Sequence, residues 1–516
     1  MDALRGLLRR LAVRLQRRRR AGPTTDVPGA AARPGGGLPR PGRAPAAAGR
    51  GAGRARPGGA GRAAAGRFPV RAAPLRPGHG RALPGHPGGA RGGRHGHAPA
   101  GGARHAVPAV GGAVVTTGGA LSGVAVWDGT DHRGTGTVTW SAEGALTAVD
   151  AAHDAGPPAR FTVLPGLIDT HVHLVGNASA RPADFLTWPL MTRPEEQVLH
   201  ALAHATAALR AGVTTLRDLA ADDVQFSLRR ALDDGVVTGP RLLAHGMVGM
   251  TAGHGDMFIP PAAPVRKPVA DGPDACRALV RHWARAGADG IKIATSGGVL
   301  SVGDRHAWRN HTRAEIAAIV DEAHALGMRV AAHAHTETGV DVALAEGVDS
   351  IEHGTLMTGA QAEAAVAAGV TVAPTLLIND RIAEGLTGSG PEQVAKAAEL
   401  VNRRDARLRA AADAGVDFVL GTDANGHHVQ FGDQLAEVRA MVTVFGWSPA
   451  RALEAATSRA AAAIGRAGQL GVLVPGAAAD LVVVDGDPTA DLAALDVGRI
   501  VAVVSRGRVV HGSLPG

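Results

Sequence analysis

Apolar residues follow two different periodicities along this chain. From about residue 111 to 163, short apolar segments alternate with polar residues and are separated by glycines, as in AVVTTGGALSGVAVWDG, TVTWSA and ALTAVDAA. The same pattern returns near the end of the chain in ADLVVVDGD and RIVAVVSRGRVVHG. Alternation with a period of two is typical of strands with one buried face. We therefore expect the two ends, 111–163 and 466–516, to pair in a small β-sandwich.

Between these ends, compact apolar runs alternate with longer segments of helical periodicity. Segments such as EEQVLHALAHATAALRAG and RAEIAAIVDEAHALG have this periodicity and end in glycine just before the next apolar run. Eight strand–helix units in succession predict an α/β fold whose central part, 164–465, is a (β/α)8 barrel of the TIM type. The predicted strands lie near 164–173, 213–218, 241–247, 289–295, 328–334, 349–353, 370–374 and 417–423.

The leader, residues 1–110, differs from the rest in composition and charge. It contains 22 arginines, no lysine and two acidic residues, a net charge of +20; subtracting these from the totals leaves 32 basic and 44 acidic residues, a net of −12. Sequence rich in Arg, Gly, Pro and Ala cannot bury a core, so we predict a disordered leader. Because the body is acidic, we expect no nucleic-acid partner for it.

The single cysteine, Cys276, excludes an intramolecular disulfide and fits a reducing compartment, so we expect the cytoplasm. Apolar runs stay well short of the ~20 residues that span a bilayer, so we expect no transmembrane segment. Exposed helices around a barrel are compatible with a homo-oligomer, and the sequence leaves the oligomeric state open.

Side chains able to bind metal ions stand at the ends of the predicted strands. His171 and His173 close the first run in LPGLIDTHVHL, where the period of two puts both on one face. Reactive groups of such barrels lie at the carboxyl ends of the strands. Six ligands from separate strands suit a hydrolytic centre with two metal ions. The remaining four are Lys292 in GIKIATSGG, His333 in VAAHAH, His353 in SIEHGT and Asp423 in GTDAN.

Lys292 is informative because the chain has only three lysines against 51 arginines. A protonated lysine cannot bind a metal; it must lose its proton, or react with carbon dioxide to give a carbamate with one oxygen for each ion. We therefore predict two divalent ions and a carbamate on Lys292. Zinc is the first expectation, and the ligands also suit Mn, Co or Fe.

The histidines after the fifth strand allow two assignments. We assign His333 and His353 to the second ion and give His335 a substrate contact, while an exchange of roles between His333 and His335 stays open. Asp423 is expected to bind the first ion and to accept the proton of the attacking water as a catalytic base.

Two weaker candidates lie at the same rim. His254, in the glycine-rich segment TAGHGD, is expected to be a catalytic or substrate-binding group. Arg217, in TTLRDLA, is a candidate substrate contact, with a structural ion pair as the alternative.

Taken together, these segments resemble the amidohydrolase superfamily, in particular its imidazolonepropionase-related branch with binuclear, prolidase-like Xaa-Pro and Xaa-Arg dipeptidases and ochratoxin-hydrolysing carboxypeptidases. The resemblance spans roughly 111–512 and implies a metal-dependent hydrolase with a carboxylated lysine. It implies one ion held by His171, His173, Lys292 and Asp423, and another held by Lys292, His333 and His353. The sequence departs from the branch at Glu337, where many relatives have an aromatic residue, and in the loop 301–312, rich in His and Arg; we expect both to meet substrate.

We therefore expect a hydroxide that bridges two metal ions to hydrolyse an amide bond in a small-molecule substrate, a dipeptide or an N-acyl amino acid. Two alternatives remain open. A mononuclear cyclic-amidine hydrolase or deaminase, similar to imidazolonepropionase, would not need Lys292. A hydrolase of lactones, carbamates or phosphoesters would use the same centre.

Overall fold

The computed structural model describes residues 118–152, 159–181, 183–263, 266–386 and 388–516, and the prediction of a disordered leader over 1–110 lies outside these residues. The strands are β1 Gly119–Trp127, β2 His132–Trp140, β3 Leu146–Ala152, β4 Phe161–Pro165, β5 Leu167–Val172, β6 Val213–Ala221, β7 Arg241–Met247, β8 Gly290–Ala294, β9 Arg329–Ala334, β10 Ser350–His353, β11 Thr371–Ala373, β12 Leu481–Asp485, β13 Ile500–Ser505 and β14 Arg508–Gly512. The helices are α1 Trp188–Met191, α2 Pro194–Arg210, α3 Asp223–Asp233, α4 Pro273–Ala286, α5 Arg313–Ala325, α6 Glu337–Ala345, α7 Gly359–Ala368, α8 Leu376–Ala383, α9 Pro391–Asp413, α10 Gln434–Phe445, α11 Pro449–Ala456 and α12 Ser458–Ala463.

Strands β5 to β11 form one parallel sheet in chain order, and each crossover to the next strand contains helix. Strands such as β5 and β8 are buried along their whole length, as expected for a parallel sheet covered on both faces. Parallel strands connected in this way end at the same edge of the sheet. Residues that close these strands therefore lie near one another.

The segment 416–424 runs between the two edge strands of this sheet. Val419 N donates to Val372 O of β11 at 2.9 Å, and Asp423 N donates to His171 O of β5 at 2.7 Å. The pairing is irregular, and Asp423 has a left-handed backbone (φ 55) that no regular strand accommodates. The described barrel sheet is therefore nearly closed with seven regular strands, where the sequence predicts eight.

Both ends of the body contribute to a second sheet, in the order β14-β13-β12-β4-β1-β2-β3. The central strand of this sheet is β4. The sequence predicts one strand over 164–173, and this run contains the end of β4 and all of the barrel strand β5. Gly166 lies between the two strands. A Cβ atom at this position would lie 2.1 Å from Oγ1 of Thr214, so the close approach requires glycine. The first strand of the barrel therefore begins directly where the second sheet ends.

Hydrogen bonds join the strands of both ends in a single seven-stranded sheet, and the prediction that they pack as a small β-sandwich stays a prediction. A bulge at Gly123 (φ 70) interrupts the β1–β2 ladder, and bulges bend strands. The sheet closes on itself where Nε1 of Trp140, in β2, donates to the carbonyl of Gly507, between β13 and β14, at 2.9 Å. Apolar residues of both halves, including Leu121 and Val504, form one core inside it.

The helices begin and end with the signals that the sequence contains. Thr312 and Glu315 form a capping box at the start of α5, and Gly287 ends α4 in the left-handed conformation (φ 94). In the part of the chain that the structure describes, no helix combines the length and the apolar character needed to cross a membrane.

We predict that Trp140→Phe lowers the free energy of unfolding by about 1 kcal/mol, because it removes the hydrogen bond to Gly507 while keeping an aromatic ring in the core. Urea denaturation measures the change. Trp308→Phe is the control, since Trp308 is 45% exposed. Equal stabilities of the two variants would show that the closing contact contributes nothing.

Candidate metal centre

The carboxyl ends of the barrel strands open into one cavity of about 210 Å³. Eight of the nine residues that the sequence singled out line it, from β5, β8, β9 and β10, the loops after β5, β7 and β9, and the segment 416–424. These eight are His171, His173, His254, Lys292, His333, His335, His353 and Asp423.

A first group of ligand atoms belongs to His171, His173 and Asp423, whose atoms all lie within 4.8 Å of one another. Oδ1 of Asp423 is 3.1 Å from Nε2 of His173 and 3.6 Å from Nε2 of His171. Burial lowers the pKa of His171 to about 4, so its imidazole is neutral at neutral pH. Burial opposes ionisation of Asp423, but the neighbouring His171, His173 and Lys292 outweigh it and lower its pKa to about 2. Two imidazole nitrogens and a carboxylate thus converge as metal ligands do.

A second group consists of His333 on β9, His335 just after β9 and His353 on β10. Their ligand atoms again lie within 4.8 Å of one another. Nε2 of His353 lies 3.0 Å from Nδ1 of His333, while its Nδ1 lies 2.6 Å from Thr375 Oγ1. Nδ1 of His335 lies 2.8 Å from Thr355 Oγ1. Burial lowers the pKa values of all three imidazoles, which keeps them neutral. The geometry leaves both His333 and His335 in the group.

Backbone strain is concentrated at this site. His353 (φ 71), Asp423 (φ 55) and Thr375 (φ 47) adopt the left-handed backbone conformation, which residues other than glycine rarely adopt. Such residues cost about 1–3 kcal/mol each and persist where the surrounding structure holds them. Here two candidate ligands and the hydroxyl that contacts one of them carry the strain.

Lys292, on β8, lines the cavity with both groups and is only 4% exposed. Burial lowers the pKa of its ammonium group to about 8, against the opposing effect of Glu352 and Asp423. The neutral amine, which has a lone pair for reaction, is therefore far more populated at neutral pH than in an exposed lysine.

Glu352 is the residue at this site that the sequence reasoning missed. Its Oε2 lies 2.9 Å from Nδ1 of His171, and its Oε1 accepts from Arg217 at 2.8 Å and Ser350 at 2.7 Å. Burial favours the protonated acid, but Arg217, His171 and Lys292 outweigh it and hold the pKa of Glu352 well below its usual range. A carboxylate on the far nitrogen of a histidine fixes the ring so that Nε2 faces the cavity. The signal in the sequence was its place directly before His353.

Arg217 is not among the residues that line the cavity, and its role as a substrate contact stays a prediction. Its guanidinium is buried and donates to Thr170 O, Ser350 Oγ and Glu352. The structural ion pair is the arrangement that the structure has.

His254 lies in the loop after β7, with its ring stacked on His333 at 4.0 Å and its backbone N–H bonded to Asn310 Oδ1 at 2.7 Å. Burial lowers the pKa of His254 to about 4. Glu337 and the loop 301–312, by contrast, are outside the cavity lining. Glu337 pairs with Arg407 at 2.7 Å on the outside, so the expectation that it meets substrate was wrong.

The wall of the cavity away from the histidines is mainly apolar. Phe185 and Leu300 line it from two loops, and Ile378 and Ile382 line it from α8. The ammonium group of Lys267 is also in the lining, in an ion pair with Asp222. The cavity thus combines polar groups at its base with an apolar wall, as small-molecule sites do.

Comparisons with known proteins agree with this geometry. A model of the amidohydrolase family matches residues 162–510. Ochratoxinase of Aspergillus niger is 30% identical over 365 residues, which are 67% of this chain and 74% of the fungal protein. A crystal structure of a Xaa-Pro dipeptidase with methionine bound in the active site is 30% identical and covers 77% of this chain and 100% of its own, with a TM-score of 0.69. A prolidase complexed with N-methylphosphonate-L-proline is 33% identical with the same coverage and a TM-score of 0.68.

We predict that Glu352→Gln lowers the free energy of unfolding by about 3 kcal/mol, because it leaves the buried guanidinium of Arg217 without a charged partner. The unfolding is measured in a chelator, so that bound metal does not contribute. Glu337→Gln, on the exposed ion pair with Arg407, is the control and should change stability by less than about 1 kcal/mol. A Glu352→Gln protein as stable as this control would contradict the role of the buried pair.

Proposed function

Because this chain belongs to the amidohydrolase family and is a hydrolase of carbon–nitrogen amide bonds, we propose that it cleaves the amide bond of a dipeptide or an N-acyl amino acid, with water activated by two divalent metal ions. The observation that carries this proposal is the convergence of two separate ligand groups and a buried lysine on one cavity. A single-metal site would need only one of these groups.

The donor set fits a pair of divalent cations. One group offers imidazole nitrogens with a carboxylate oxygen, and the other offers imidazole nitrogens. Burial lowers the pKa values of His171, His333 and His353, which keeps these three imidazoles neutral and able to bind. When bound, the ions supply positive charge that polarises the amide carbonyl and lowers the pKa of water. We favour zinc, with Mn, Co and Fe as alternatives. We assign one ion to His171, His173 and Asp423, and the other to His333 and His353, with His335 beside them as a substrate contact.

We also propose that Lys292 carries a carbamate that reaches both ions. The neutral amine attacks carbon dioxide, a nitrogen–carbon bond forms, and one N–H proton leaves to solvent, which yields a carboxylate with two oxygens. Support comes from the burial of Lys292 and the lowered pKa of its amine, both of which favour the reactive neutral form. Its place in the lining of the shared cavity, together with both ligand groups, supports a role in which it would help to hold the ions.

Asp423 is the proposed general base and acid. At neutral pH its carboxylate is ionised, so it can accept a proton from the water that attacks the carbonyl carbon. The same proton then passes to the amine nitrogen as the carbon–nitrogen bond breaks. His254 is proposed to bind substrate at the rim, where its ring stacks on His333.

The shape of the cavity and the named relatives support the proposed substrate class. The two solved relatives include a Xaa-Pro dipeptidase and a prolidase, and the curated relative is an ochratoxinase. The apolar wall suits an apolar side chain, and Lys267 and His254 are groups able to receive the free carboxylate of a dipeptide.

We further propose that the segment 417–423 acts as the eighth strand of a (β/α)8 barrel over 164–465, supported by its hydrogen bonds to β5 and β11. The two ends, 111–163 and 466–516, would then form one accessory domain. A single buried cysteine is compatible with a reducing cytoplasm as the compartment.

Loading the protein with ¹³C-bicarbonate should produce a carbamate carbon signal in the NMR spectrum, and elemental analysis should find at least two bound metal ions per chain. Lys292→Met should remove the signal and lower the metal content. Lys396→Arg, which keeps the ion pair with Asp304, is the control that should retain both. No carbamate signal in the wild type, together with equal metal contents in the wild type and Lys292→Met, would favour the mononuclear alternative.

Asp423→Asn should lower kcat by about 10²-fold or more, because an amide can neither accept nor return the proton. Steady-state kinetics at saturating metal measures the loss. Asp417→Asn changes an acid of the same segment that pairs with Arg459 outside the cavity, and it should leave kcat near the wild-type value. Near wild-type turnover of Asp423→Asn would remove Asp423 from the mechanism.

A hydrolysis screen with metal-reconstituted full-length protein should find turnover among dipeptides and N-acyl amino acids with an apolar side chain. Blocking the free carboxylate as an amide should raise KM, because Lys267 and His254 lose their partner. Lactones, carbamates and phosphoesters belong in the same screen. Turnover confined to these compounds would contradict the proposed substrate class.

A further inference from the structure

A third cluster of metal-ligating side chains lies outside the cavity described above. Cys276 in the first turn of α4, His311 just before α5 and Glu315 in the first turn of α5 present ligand atoms that all lie within 4.8 Å of one another. All three residues are buried, and none of them lines the catalytic cavity. The cluster therefore needs an explanation separate from the proposed hydrolysis.

Ordinary packing explains most of this cluster. Glu315 completes the capping box of α5 with Thr312, and its other oxygen accepts from Gly272 N at 2.6 Å. The Sγ of Cys276 lies 3.7 Å from the carbonyl oxygen of Ala270. A core thiol and a helix cap would by themselves indicate no ligand.

His311 is the residue that packing leaves unexplained. Its Nε2 lies 3.1 Å from the carbonyl oxygen of Val248, so Nε2 carries the proton and Nδ1 carries a lone pair. Within the part of the chain that the structure describes, no group hydrogen-bonds to this Nδ1, although the side chain is only 1% exposed. A buried polar atom without a partner costs about 1–3 kcal/mol. Nδ1 faces the cluster, 3.9 Å from Oε2 of Glu315.

We propose that Cys276, His311 and Glu315 bind a divalent cation of the zinc type at a structural site distinct from the catalytic pair. A thiolate, an imidazole and a carboxylate are ligands that zinc accepts together in tetrahedral sites. The thiolate and the carboxylate each contribute one negative charge, which neutralises a divalent ion, so the buried site has no net charge. The thiol proton leaves to solvent when the ion binds.

The acceptor capacity of Glu315 allows this role. Its carboxylate receives hydrogen bonds from Gly272 N, Thr312 N and Thr312 Oγ1, which use three of about four lone-pair positions. The fourth remains for a cation. The carbonyl oxygen of Ala270, close to Sγ, is available as a further oxygen ligand.

The position of this third site suggests what the ion would do. The cluster joins the loop after β7 to the loop after β8: His311 contacts Val248 O, and the adjacent Asn310 accepts from His254 N at 2.7 Å. An ion held by α4 and α5 would fix both loops, and with them the ring of His254 at the rim of the cavity.

Cobalt(II) substitution of the full-length protein tests the site directly. Because Cys276 is the only cysteine of the chain, a sulfur-to-cobalt charge-transfer band in the near ultraviolet can arise only from this residue. We expect the band in the wild type and its loss in Cys276→Ser, with bound metal lower by one ion per chain. The serine hydroxyl can still donate to Ala270 O, so the variant should fold.

Two comparisons keep this test independent of the catalytic proposal. The difference in metal content between wild type and Cys276→Ser does not depend on how many ions the catalytic cavity holds. His311→Gln should also lose the band while Cys276 remains, which separates ligation from the mere presence of a thiol. A wild-type cobalt protein without the band, or equal metal contents in wild type and Cys276→Ser, would overturn the proposal.

Discussion

The candidate metal centre depends on the contact between the segment 416–424 and β5, the first strand of the parallel sheet. The hydrogen bond from Asp423 N to His171 O joins residues that are far apart in the chain, and it brings a carboxylate to His171 in β5 and to His173 just after β5. The left-handed backbone of Asp423 is the local cost of turning the carboxylate inward.

The buried charges around the ligand groups are also paired with one another. Buried charges are costly unless they are paired, and here one carboxylate, Glu352, balances Arg217 while it orients His171. Burial also lowers the pKa of His171, which keeps its imidazole neutral, and it lowers the pKa of the Lys292 ammonium group. The packing of the core therefore prepares ligands for a cation, and this preparation links the stability of the fold to the proposed chemistry.

Much of this could be read from the sequence, because short buried strands followed by polar residues have a strong periodic signal. The strands from β6 to β11 and the gathering of the histidines with Lys292 and Asp423 follow from that signal. The sequence could not show that Gly166 divides one apolar run between two sheets, or that Arg217 points inward to Glu352. Both depend on which face a side chain takes, and contacts between residues distant in the chain decide that.

The central claim is that two cations and a carbamate on Lys292 share the cavity. Anomalous diffraction from crystals grown with manganese and bicarbonate tests it most directly. Two peaks are expected inside the cavity, one beside His171, His173 and Asp423 and the other beside His333 and His353, with continuous density from Nζ of Lys292 between them. A single peak in the cavity, with an unmodified Lys292 directed away from it, would contradict the proposed centre.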